Sequence, residues 1–390
     1  MPSGRASAAG APGCLHIGKY YPPAPGGMEN YLRDLLQALC ARGVRCSALV
    51  HGRDGQAPAA AAGPVLDRAP VWFTVAFAPI APGFPLRLRR LIRQQRPALL
   101  HLHLPNVSAF WALLLPSARR LPWVIHWHAD VPRDAGDWRL RLLYRLYRPF
   151  EQRLLARAWR VLATSAPYLE ASEALAPWRG KCAVVPLGID PRDSTTIAPA
   201  VDDEHGGPLR VLAIGRLSYY KGFAVLLRAI ASTPGATLEL VGSGEEAGRL
   251  RALVRALNLE ARVTLCGQLS DRERQARLAA CDCLCLPSIE RSEAFGLVLL
   301  EAMAAGRACI ATAVPGTGMS WVVQHGVTGL VVPPGDPGAL SRALGELGAN
   351  RERCRGLGAA GRQRFVQLFH IDRSADAVLA HYRACRAAGR

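Results

Sequence analysis

The chain has 390 residues, of which half are hydrophobic and a fifth are charged, and it carries a formal net charge of +18. This length exceeds one ordinary hydrophobic core, so two globular domains are expected. Because no run of about 18 apolar residues occurs, the composition argues against a transmembrane helix and favours a cytoplasmic protein.

The positive charge is concentrated in the first half of the chain. Residues 1–200 carry 25 basic and 12 acidic side chains, a net of +13, whereas residues 201–390 carry 23 and 18, a net of +5. This asymmetry indicates an anionic partner for the first half, either a membrane or a nucleic acid. The alternative is a solvated surface in an arginine-biased chain, because 45 arginines accompany only three lysines.

The 11 cysteines are odd in number and include no CxxC pair. Their one cluster, CDCLC at 281–285, alternates like a buried strand rather than following a zinc-site spacing. Free, mostly buried thiols are therefore expected, as in a reducing compartment.

Short β-rich apolar runs alternate with helical patterns, which predicts a parallel α/β architecture. Residues 1–13 lack the apolar segment of a signal peptide and are interpreted as a loose tail. Strands are predicted in the first half at CLHI, RCSALV, WFTVAF, ALLHLHL, WVIHWH, RVLATS and AVVPLG. A helix is predicted at MENYLRDLLQALCARG, ending at Gly43. Residues 191–208 are polar and rich in Pro and Gly, which is typical of a linker.

The same alternation restarts after the linker with LRVLAIG, TLELVG, RVTLCG, CLCLP, RACIATA and GLVVPP. Two successive doubly wound, Rossmann-like domains are therefore predicted, over residues 1–190 and 209–367. They are expected to face each other across a cleft that binds the ligand beyond the carboxyl ends of the strands. A last amphipathic helix over 368–390 is expected to pack back toward the N-terminal domain.

Two short stretches of the first half contain candidate ligand contacts. Gly26 and Gly27 precede the first predicted helix, where glycine lets the backbone approach a ligand closely, although a plain turn explains them nearly as well. His126 and His128 of WVIHWHAD share one face of a strand near its carboxyl end. No third ligand stands at a recognisable spacing, so a metal site is not predicted. A core histidine is the common alternative, and His128 is the better candidate for substrate contact.

Residues 138–160, WRLRLLYRLYRPFEQRLLARAWR, interleave arginines with Trp, Tyr and Leu at roughly helical spacing. This pattern indicates a basic amphipathic helix that lies on an anionic membrane, and RLRRLIRQQR at 87–96 adds a second basic cluster. The alternative is that the leucines, Leu142, Leu143, Leu146 and Leu154, face the domain core while the arginines are merely solvated. No sequence motif typical of nucleic-acid recognition is found, so no nucleic-acid partner is predicted.

The stretch AIGRLSYYKGF, 213–223, ends a predicted strand at Gly215 and then carries Arg216 and Lys221. Two cations five residues apart on a strand-to-helix loop suit a diphosphate, because Arg offers a fork and Lys a compact point charge. Ordinary surface charge is the alternative. The next turn, VGSGEEAG at 241–248, contains GSGEEA, which fits the G-x-G-x-x-A form of the dinucleotide-binding fingerprint. The match lies in the second turn of its domain and contains two glutamates that would repel a pyrophosphate, so a turn flanking another nucleotide is favoured.

The stretch SEAFGLVLLEAMAAG, 292–306, places Glu293 and Glu301 in largely apolar surroundings. A helix is predicted to begin near Phe295 or Gly296, and its free N–H groups would suit a phosphate. Glu293, just before the helix, can face a sugar attached beyond that phosphate. Glu301, on the helix, can bind a ribose through two vicinal hydroxyls. One nucleotide-sugar would satisfy both carboxylates.

Taken together, PGGMEN, WHAD, VVPLGID, GRLSYYKG, VGSG, EAFGLVLLE and QHGVTGLVVPPGD resemble the retaining family 4 glycosyltransferases of GT-B fold, over nearly the whole chain. The resemblance implies that Arg216 and Lys221 hold the donor diphosphate. It implies that Glu293 and His128 contact the transferred sugar, and that Glu301 binds the ribose. Gly26 and Gly27 would line the phosphate and acceptor side. The donor site is completed by Gly242, Phe295, Gly296 and Leu297.

The resemblance also implies a mechanism and a substrate class. Enzymes of this type need no divalent metal, and no D-x-D motif occurs in the sequence. Retention by front-face attack is implied, with a leaving phosphate oxygen taking the acceptor proton, so no protein general base is assigned. GRLSYYKGF with PGTGMSWVVQHGVTGL resembles bacterial mannosyl- and rhamnosyltransferases of O-antigen and exopolysaccharide synthesis. A GDP-sugar donor is therefore favoured over a UDP-sugar, with a glycan or lipid-linked oligosaccharide as acceptor.

Overall fold

The computed structural model describes residues 13–24, 26–52, 63–75, 78–131, 138–191 and 207–388, and for 138–140 it describes the backbone alone. Most of the predicted N-terminal tail and linker lies outside these residues. The chain divides into two compact units. The first holds the described residues of Met1–Thr164, Ser172–Pro186 and Ile371–Arg390. The second holds those of Ser165–Ala171 and Leu187–His370.

The first unit is built on a seven-stranded parallel sheet with the strand order β3-β2-β1-β6-β7-β8-β9. Its strands, with a separate antiparallel hairpin of β4 and β5, are β1 (Cys14–Ile17), β2 (Cys46–Gly52), β3 (Val65–Pro70), β4 (Phe73–Val75), β5 (Ala78–Ile80), β6 (Leu99–Leu104), β7 (Trp123–Trp127), β8 (Arg160–Ala163) and β9 (Cys182–Val184). Its helices are α1 (Gly27–Ala41), α2 (Phe84–Gln95), α3 (Trp111–Leu114), α4 (Pro116–Arg119), α5 (Trp138–Arg157) and, from the far end of the chain, α14 (Ile371–Ala388).

The second unit is built on a six-stranded parallel sheet with the order β12-β11-β10-β13-β14-β15. Its strands are β10 (Leu209–Ile214), β11 (Ala236–Val241), β12 (Val263–Gly267), β13 (Cys283–Leu286), β14 (Ala308–Thr312) and β15 (Leu330–Val332). Its helices are α6 (Ala166–Ala171), α7 (Phe223–Ala231), α8 (Ala247–Ala256), α9 (Asp271–Ala280), α10 (Leu297–Ala304), α11 (Met319–Val322), α12 (Pro337–Ala349) and α13 (Arg351–Arg364), followed by a π-helical turn, Phe365–Phe369.

The central strands of both sheets are apolar along nearly their whole length, as parallel strands covered on both faces must be. All four residues of β1 and of β13 are buried, for example. Several helices begin at side chains that satisfy their first N–H groups. Ser270 and Glu273 form a reciprocal capping box at α9, and Asp336 caps α12. All eleven cysteines are free thiols. Of the helices described, none is both long and apolar enough to cross a membrane.

The two doubly wound sheets predicted from the sequence are confirmed. In each sheet the strand order reverses at one point, between β1 and β6 in the first unit and between β10 and β13 in the second. The loops that leave such neighbouring strands diverge and open a crevice at the carboxyl edge of the sheet, where ligands bind. The fold thus points to the loops after β1, β6, β10 and β13.

The structure differs from the predicted elements in two places of the first unit. WFTVAF was expected to be a strand of the main sheet, but its described residues contribute only Phe73–Val75, which pairs with β5. Residues Val65–Pro70, which were not predicted, form the parallel edge strand β3. The apolar run was misleading because its described side chains, at 72–75, are exposed rather than buried in the sheet.

Candidate active site

Two loops of the second unit meet at the carboxyl edge of its sheet. The loop after β10 carries Arg216 and then Lys221, the last residue of a 3-10 turn. The loop after β13 carries Glu293 and leads into α10. Because β10 and β13 are paired neighbours, both loops leave the sheet at the strand-order reversal. The sequence-predicted candidates of this unit therefore gather at the place that the fold provides for a ligand.

Lys221 and Glu293 form a direct ion pair between Nζ and Oε2. Each side chain is only 12% exposed, so the two charges compensate each other where neither would be tolerated alone. Burial by itself would lower the pKa of Lys221, but the charge and hydrogen bond of Glu293 outweigh it and raise that pKa above its usual value. Lys221 is therefore a fixed positive charge at the crevice.

Gly222 holds these two loops against each other. It has a φ of 68°, and a Cβ built on it would lie 2.1 Å from the carbonyl oxygen of Pro287. Where the same two loops meet, the backbone N–H of Ile289 donates to the carbonyl of Tyr220 at 2.8 Å. Only glycine satisfies both the left-handed backbone and this close approach. The position of Lys221 beside Glu293 thus depends on Gly222.

Arg216 pairs with Glu245 of the next turn at 3.2 Å, and both side chains are more than half exposed. An exposed pair of this kind is weak, so an entering anion can compete for the guanidinium.

The glycines of the turn at 241–248 allow its backbone to approach the backbone of the loop after β10. A Cβ on Gly242, whose φ is 147°, would lie 1.9 Å from the carbonyl oxygen of Gly215, and one on Gly244 would lie 2.4 Å from that of Leu217. Gly242 and Gly244 therefore let this turn pack against the loop after β10.

The helix α10 begins as the sequence predicted. Gly296 precedes the helix and has a φ of 81°. Phe295 is buried, and Leu297, the first residue of the helix, is half-buried. Leu299 already donates its N–H to the carbonyl of Gly296, whereas the N–H groups of Leu297 and Val298 have no backbone acceptor among the described residues and can donate to an anion. Glu301, one turn further on, has its Oε2 3.5 Å from Nε of Arg274 on α9. This cationic neighbour was not predicted, because it lies on a different helix.

In the first unit, Gly26 and Gly27 stand at the start of α1 and are both exposed. A Cβ on Gly26 would lie 2.1 Å from Oε2 of Glu29, so this carboxylate folds back over the start of the helix. Burial raises the pKa of Glu29, although its own backbone N–H and Lys19 partly offset the effect. Sequence reasoning assigned Glu29 no role, even though it lies within PGGMEN.

His128 follows β7 and is buried among four further histidines. Its Nε2 lies 2.9 Å from Nδ1 of His103, whose Nε2 lies 3.0 Å from Nδ1 of His16. His101 and His126 stack in the same group, with ring centroids 5.6 Å apart. Burial lowers the pKa of His128 to about 3, so its ring is neutral at neutral pH. Nearby, Asp130 accepts hydrogen bonds from Nε1 of Trp127 and from Oγ of Ser172.

The sequence predicted only a pair of histidines here, and the strand register supplies the others. His16 pairs with His101, and His103 with His126, on neighbouring parallel strands. The alternation in ALLHLHL was the available signal, because i and i+2 share a face. Two triples bring ligand atoms within 4.8 Å of one another: His16, His101 and His103, and His103, His126 and His128. Neither triple includes a carboxylate or a thiol.

Comparisons with known proteins agree with this geometry. The model of Glycosyltransferase Family 4 matches residues 25–193, and that of Glycosyl transferases group 1 matches 196–364. The chain is 30% identical over 377 residues to O-antigen chain mannosyltransferase C of Escherichia coli, covering 94% of this chain and 97% of that protein. It is 31% identical over 363 residues to the D-rhamnosyltransferase WbpZ of Pseudomonas aeruginosa, covering 91% of each. Among solved structures, sucrose-phosphate synthase of Thermosynechococcus elongatus superposes with a TM-score of 0.80 at 26% identity, covering 97% of this chain and 100% of that one.

Two Rossmann-like parallel sheets together with these matches define an enzyme of the glycosyltransferase class with the GT-B fold. The chain belongs to the family 4 glycosyltransferases, as its motifs predicted.

Proposed function

We propose that the protein transfers mannose or a deoxymannose, with retention of configuration, from a nucleoside-diphosphate sugar to a glycan or lipid-linked oligosaccharide. GDP is the favoured nucleotide and a UDP-sugar is the alternative. The names of the two relatives, a mannosyltransferase and a rhamnosyltransferase, support this sugar class and a role in O-antigen or related surface polysaccharide synthesis. The observation that carries the proposal is the buried ion pair of Lys221 and Glu293 at the strand-order reversal.

Each residue of this crevice has a proposed role toward the donor. Lys221 stabilises the charge that develops on the departing diphosphate, and Arg216 exchanges Glu245 for a phosphate oxygen. The free N–H groups at the start of α10 bind the same diphosphate. Glu293 contacts the transferred sugar, and Glu301 accepts hydrogen bonds from the ribose hydroxyls. Because a leaving phosphate oxygen takes the acceptor proton, these roles require no protein general base.

His128 is proposed to contact the transferred sugar as a neutral ring. With a pKa of about 3 it carries no charge at neutral pH, so it acts as a hydrogen-bonding group rather than as a cation. Gly26 and Gly27, exposed at the start of α1, are proposed to line the phosphate and acceptor side.

An NAD-dependent oxidoreductase is the alternative function that the glycines of the turn at 241–248 suggest, and it loses the observation on which it depends. Gly242 and Gly244 approach the backbone of the preceding loop so closely that their missing side chains are explained by packing. A pyrophosphate is not needed to account for the motif.

A metal-independent hydrolysis of GDP-mannose tests the proposed reaction. We expect slow release of mannose from this donor, faster than from GDP-glucose or from UDP-sugars, because the pocket is proposed to recognise a mannose-type donor. The rate should be the same in EDTA, since Lys221, Arg216 and the start of α10 supply the positive potential that a metal would otherwise provide. Loss of hydrolysis on chelation would contradict metal independence, and a preference for UDP-sugars would reverse the donor assignment.

The basic helix α5 supports a proposed membrane role for the first unit. Leu142, Leu143 and Leu146 are exposed, at 51%, 39% and 63%, whereas Leu154 is fully buried. The alternative that all four leucines face the core therefore holds only for Leu154. Arg141, Arg145 and Arg148 are exposed on the same stretch. We propose that this part of α5 docks peripherally on the cytoplasmic face of an anionic membrane, where a lipid-linked acceptor resides.

Co-sedimentation with anionic liposomes tests this docking. The protein should bind at low salt and dissociate at high salt, because each basic residue near the surface contributes about 1 kcal/mol. The triple change Arg141→Gln, Arg145→Gln, Arg148→Gln should reduce the bound fraction strongly. A matched control removes three charges from α8 of the second unit, with Arg249→Gln, Arg251→Gln and Arg255→Gln. Equal losses in both triple variants would mean that net charge, rather than α5, determines binding.

A further inference from the structure

Four histidines and a tyrosine of the first unit form one continuous hydrogen-bonded chain. In order, they are His128, His103, His16, Tyr382 and His101. The successive contacts join Nε2 of His128 to Nδ1 of His103 at 2.9 Å, and Nε2 of His103 to Nδ1 of His16 at 3.0 Å. The hydroxyl of Tyr382 on α14 then lies 3.1 Å from Nε2 of His16 and 2.5 Å from Nδ1 of His101. We call these five residues the histidine relay.

Burial makes every ring of the histidine relay neutral. All five side chains are at most 4% exposed, and burial lowers the pKa of all four histidines, of His16 and His128 to about 3. A neutral imidazole has one N–H and one acceptor nitrogen. Each contact therefore holds one proton, and the donors of His128, His103 and His16 must point the same way. The hydroxyl of Tyr382 can either continue this direction to His101 or accept hydrogen bonds from both rings. The tautomer of His128 is thus coupled to those of His103 and His16, and to that of His101 only when Tyr382 continues the direction.

The two terminal nitrogens of the relay determine in which direction its hydrogen bonds are donated when a ligand is bound. Nε2 of His101 and Nδ1 of His128 are buried and have no hydrogen-bond partner among the described residues. If the donors point away from His128, Tyr382 either continues the direction and strands an N–H at Nε2 of His101, or accepts from both rings and directs its own O–H out of the chain. If they point toward His128, the last N–H is at Nδ1 of His128, where a ligand oxygen can accept it. The second direction leaves only a bare acceptor at His101, which is less costly than a buried donor without an acceptor, so a ligand oxygen at His128 favours it.

We propose that the histidine relay presents Nδ1–H of His128 as a hydrogen-bond donor to an oxygen of the transferred sugar. His103, His16 and Tyr382 are positioning residues, because they hold the other nitrogen of His128 and couple its tautomer to the rest of the chain. The identity of the ligand rests on the proposed function, whereas the relay itself does not.

A divalent metal held by the same histidines is a weaker explanation of the cluster. The nitrogens that would bind it already hydrogen-bond to one another in pairs. Each possible triple consists of neutral imidazoles alone, so a bound dication would lie in the interior without a compensating anion.

Nuclear magnetic resonance of the full-length protein with ¹⁵N-labelled histidine tests the relay directly. In the free protein, scalar couplings across the N–H···N bonds should join His128 to His103 and His103 to His16, with resonances assigned by substituting each histidine in turn. Saturation with GDP-mannose, but not with GDP, should place the proton of His128 on Nδ1. Tyr382→Phe should leave His16, His103 and His128 responsive to GDP-mannose while His101 no longer follows them.

A matched pair of variants tests the positioning role in activity. His103→Phe keeps a flat ring in the stack but removes the partner of His128, so turnover should fall about tenfold or more while the donor KM changes little. His126→Phe is the control, because His126 stacks 4.7 Å from His128 yet neither of its nitrogens is hydrogen-bonded. Its turnover should stay within about twofold of the parent protein, as expected for a side chain outside the relay.

Three results would overturn the relay: absent couplings in the free protein, a proton on Nε2 of His128 with GDP-mannose bound, or equal losses in the two phenylalanine variants. Stoichiometric metal on these histidines in the protein as isolated would also overturn it. If GDP-mannose does not bind, the proposed donor is wrong, and the couplings of the free protein still confirm or overturn the chain.

Discussion

Replacing Lys221 with Met is expected to lower the turnover of sugar transfer by about 10²–10³-fold, the usual loss when one preorganised group facing developing charge is removed. The expectation follows from the burial of Lys221 and from its raised pKa, which keep a positive charge at the crevice. Single-turnover transfer from GDP-mannose measures the effect on chemistry separately from product release.

The partner of Lys221 provides the control for folding. Lys221→Met alone strands the carboxylate of Glu293, which should cost about 3–5 kcal/mol of unfolding free energy. The double variant Lys221→Met, Glu293→Gln removes both charges and should recover most of that stability while remaining inactive. Glu293→Gln alone should lower turnover more than donor affinity, because its proposed contact is the sugar. If the double variant regains activity with its stability, the pair is structural and the proposed role of Lys221 is wrong.

Replacing Glu301 with Ala is expected to weaken donor binding by about 1–3 kcal/mol, the range for a charge-assisted hydrogen bond to a ribose hydroxyl, with a smaller effect on turnover. Equilibrium binding of GDP measures this loss without any chemistry. Glu301→Gln, which keeps a hydrogen-bonding group, should lose less than Glu301→Ala.

Arg274 is the matched control for Glu301, because its Nε lies 3.5 Å from the carboxylate on a neighbouring helix. Arg274→Gln should weaken GDP binding less than Glu301→Ala if the ribose contacts Glu301 directly. A larger loss in Arg274→Gln would indicate that the arginine binds the nucleotide and that Glu301 only orients it.

The sequence was informative wherever one local pattern determines the structure. The buried strands CLHI and CLCLP lie where the periodicity predicted them, because parallel strands must be apolar along their length. The start of α10 was predicted from one glycine and the apolar run that follows it. Lys221 and Glu293 were each assigned to the donor from their own loops, but their ion pair was not predicted, because it depends on the pairing of β10 with β13.

The remaining features depend on strand register and tertiary contact. Topology can assign Lys221 and Glu293, which are 72 residues apart, to one crevice. It does not predict that Arg274 on α9 lies 3.5 Å from Glu301 on α10. The histidine relay joins His16, His103 and a tyrosine that lies 366 residues beyond His16. No spacing within one segment encodes such a chain. The strand predicted at WFTVAF forms in part, as Phe73–Val75, but its place outside the seven-stranded sheet was not predicted, because hydrophobicity alone does not say which face is covered.

The assignment of α14 to the first unit has a consequence for biosynthesis. Tyr382 covers the histidine face of a sheet whose last strand, β9, ends at Val184, yet the second unit's continuous segment Leu187–His370 is translated in between. At about 5–20 residues per second, roughly 10–40 s pass before α14 emerges. The second unit can fold during that interval, whereas His16 and His101 of the first unit wait for the tyrosine that contacts both of them. The hydrogen-bond chain of the first unit is therefore completed only when the last helix of the protein has been synthesised.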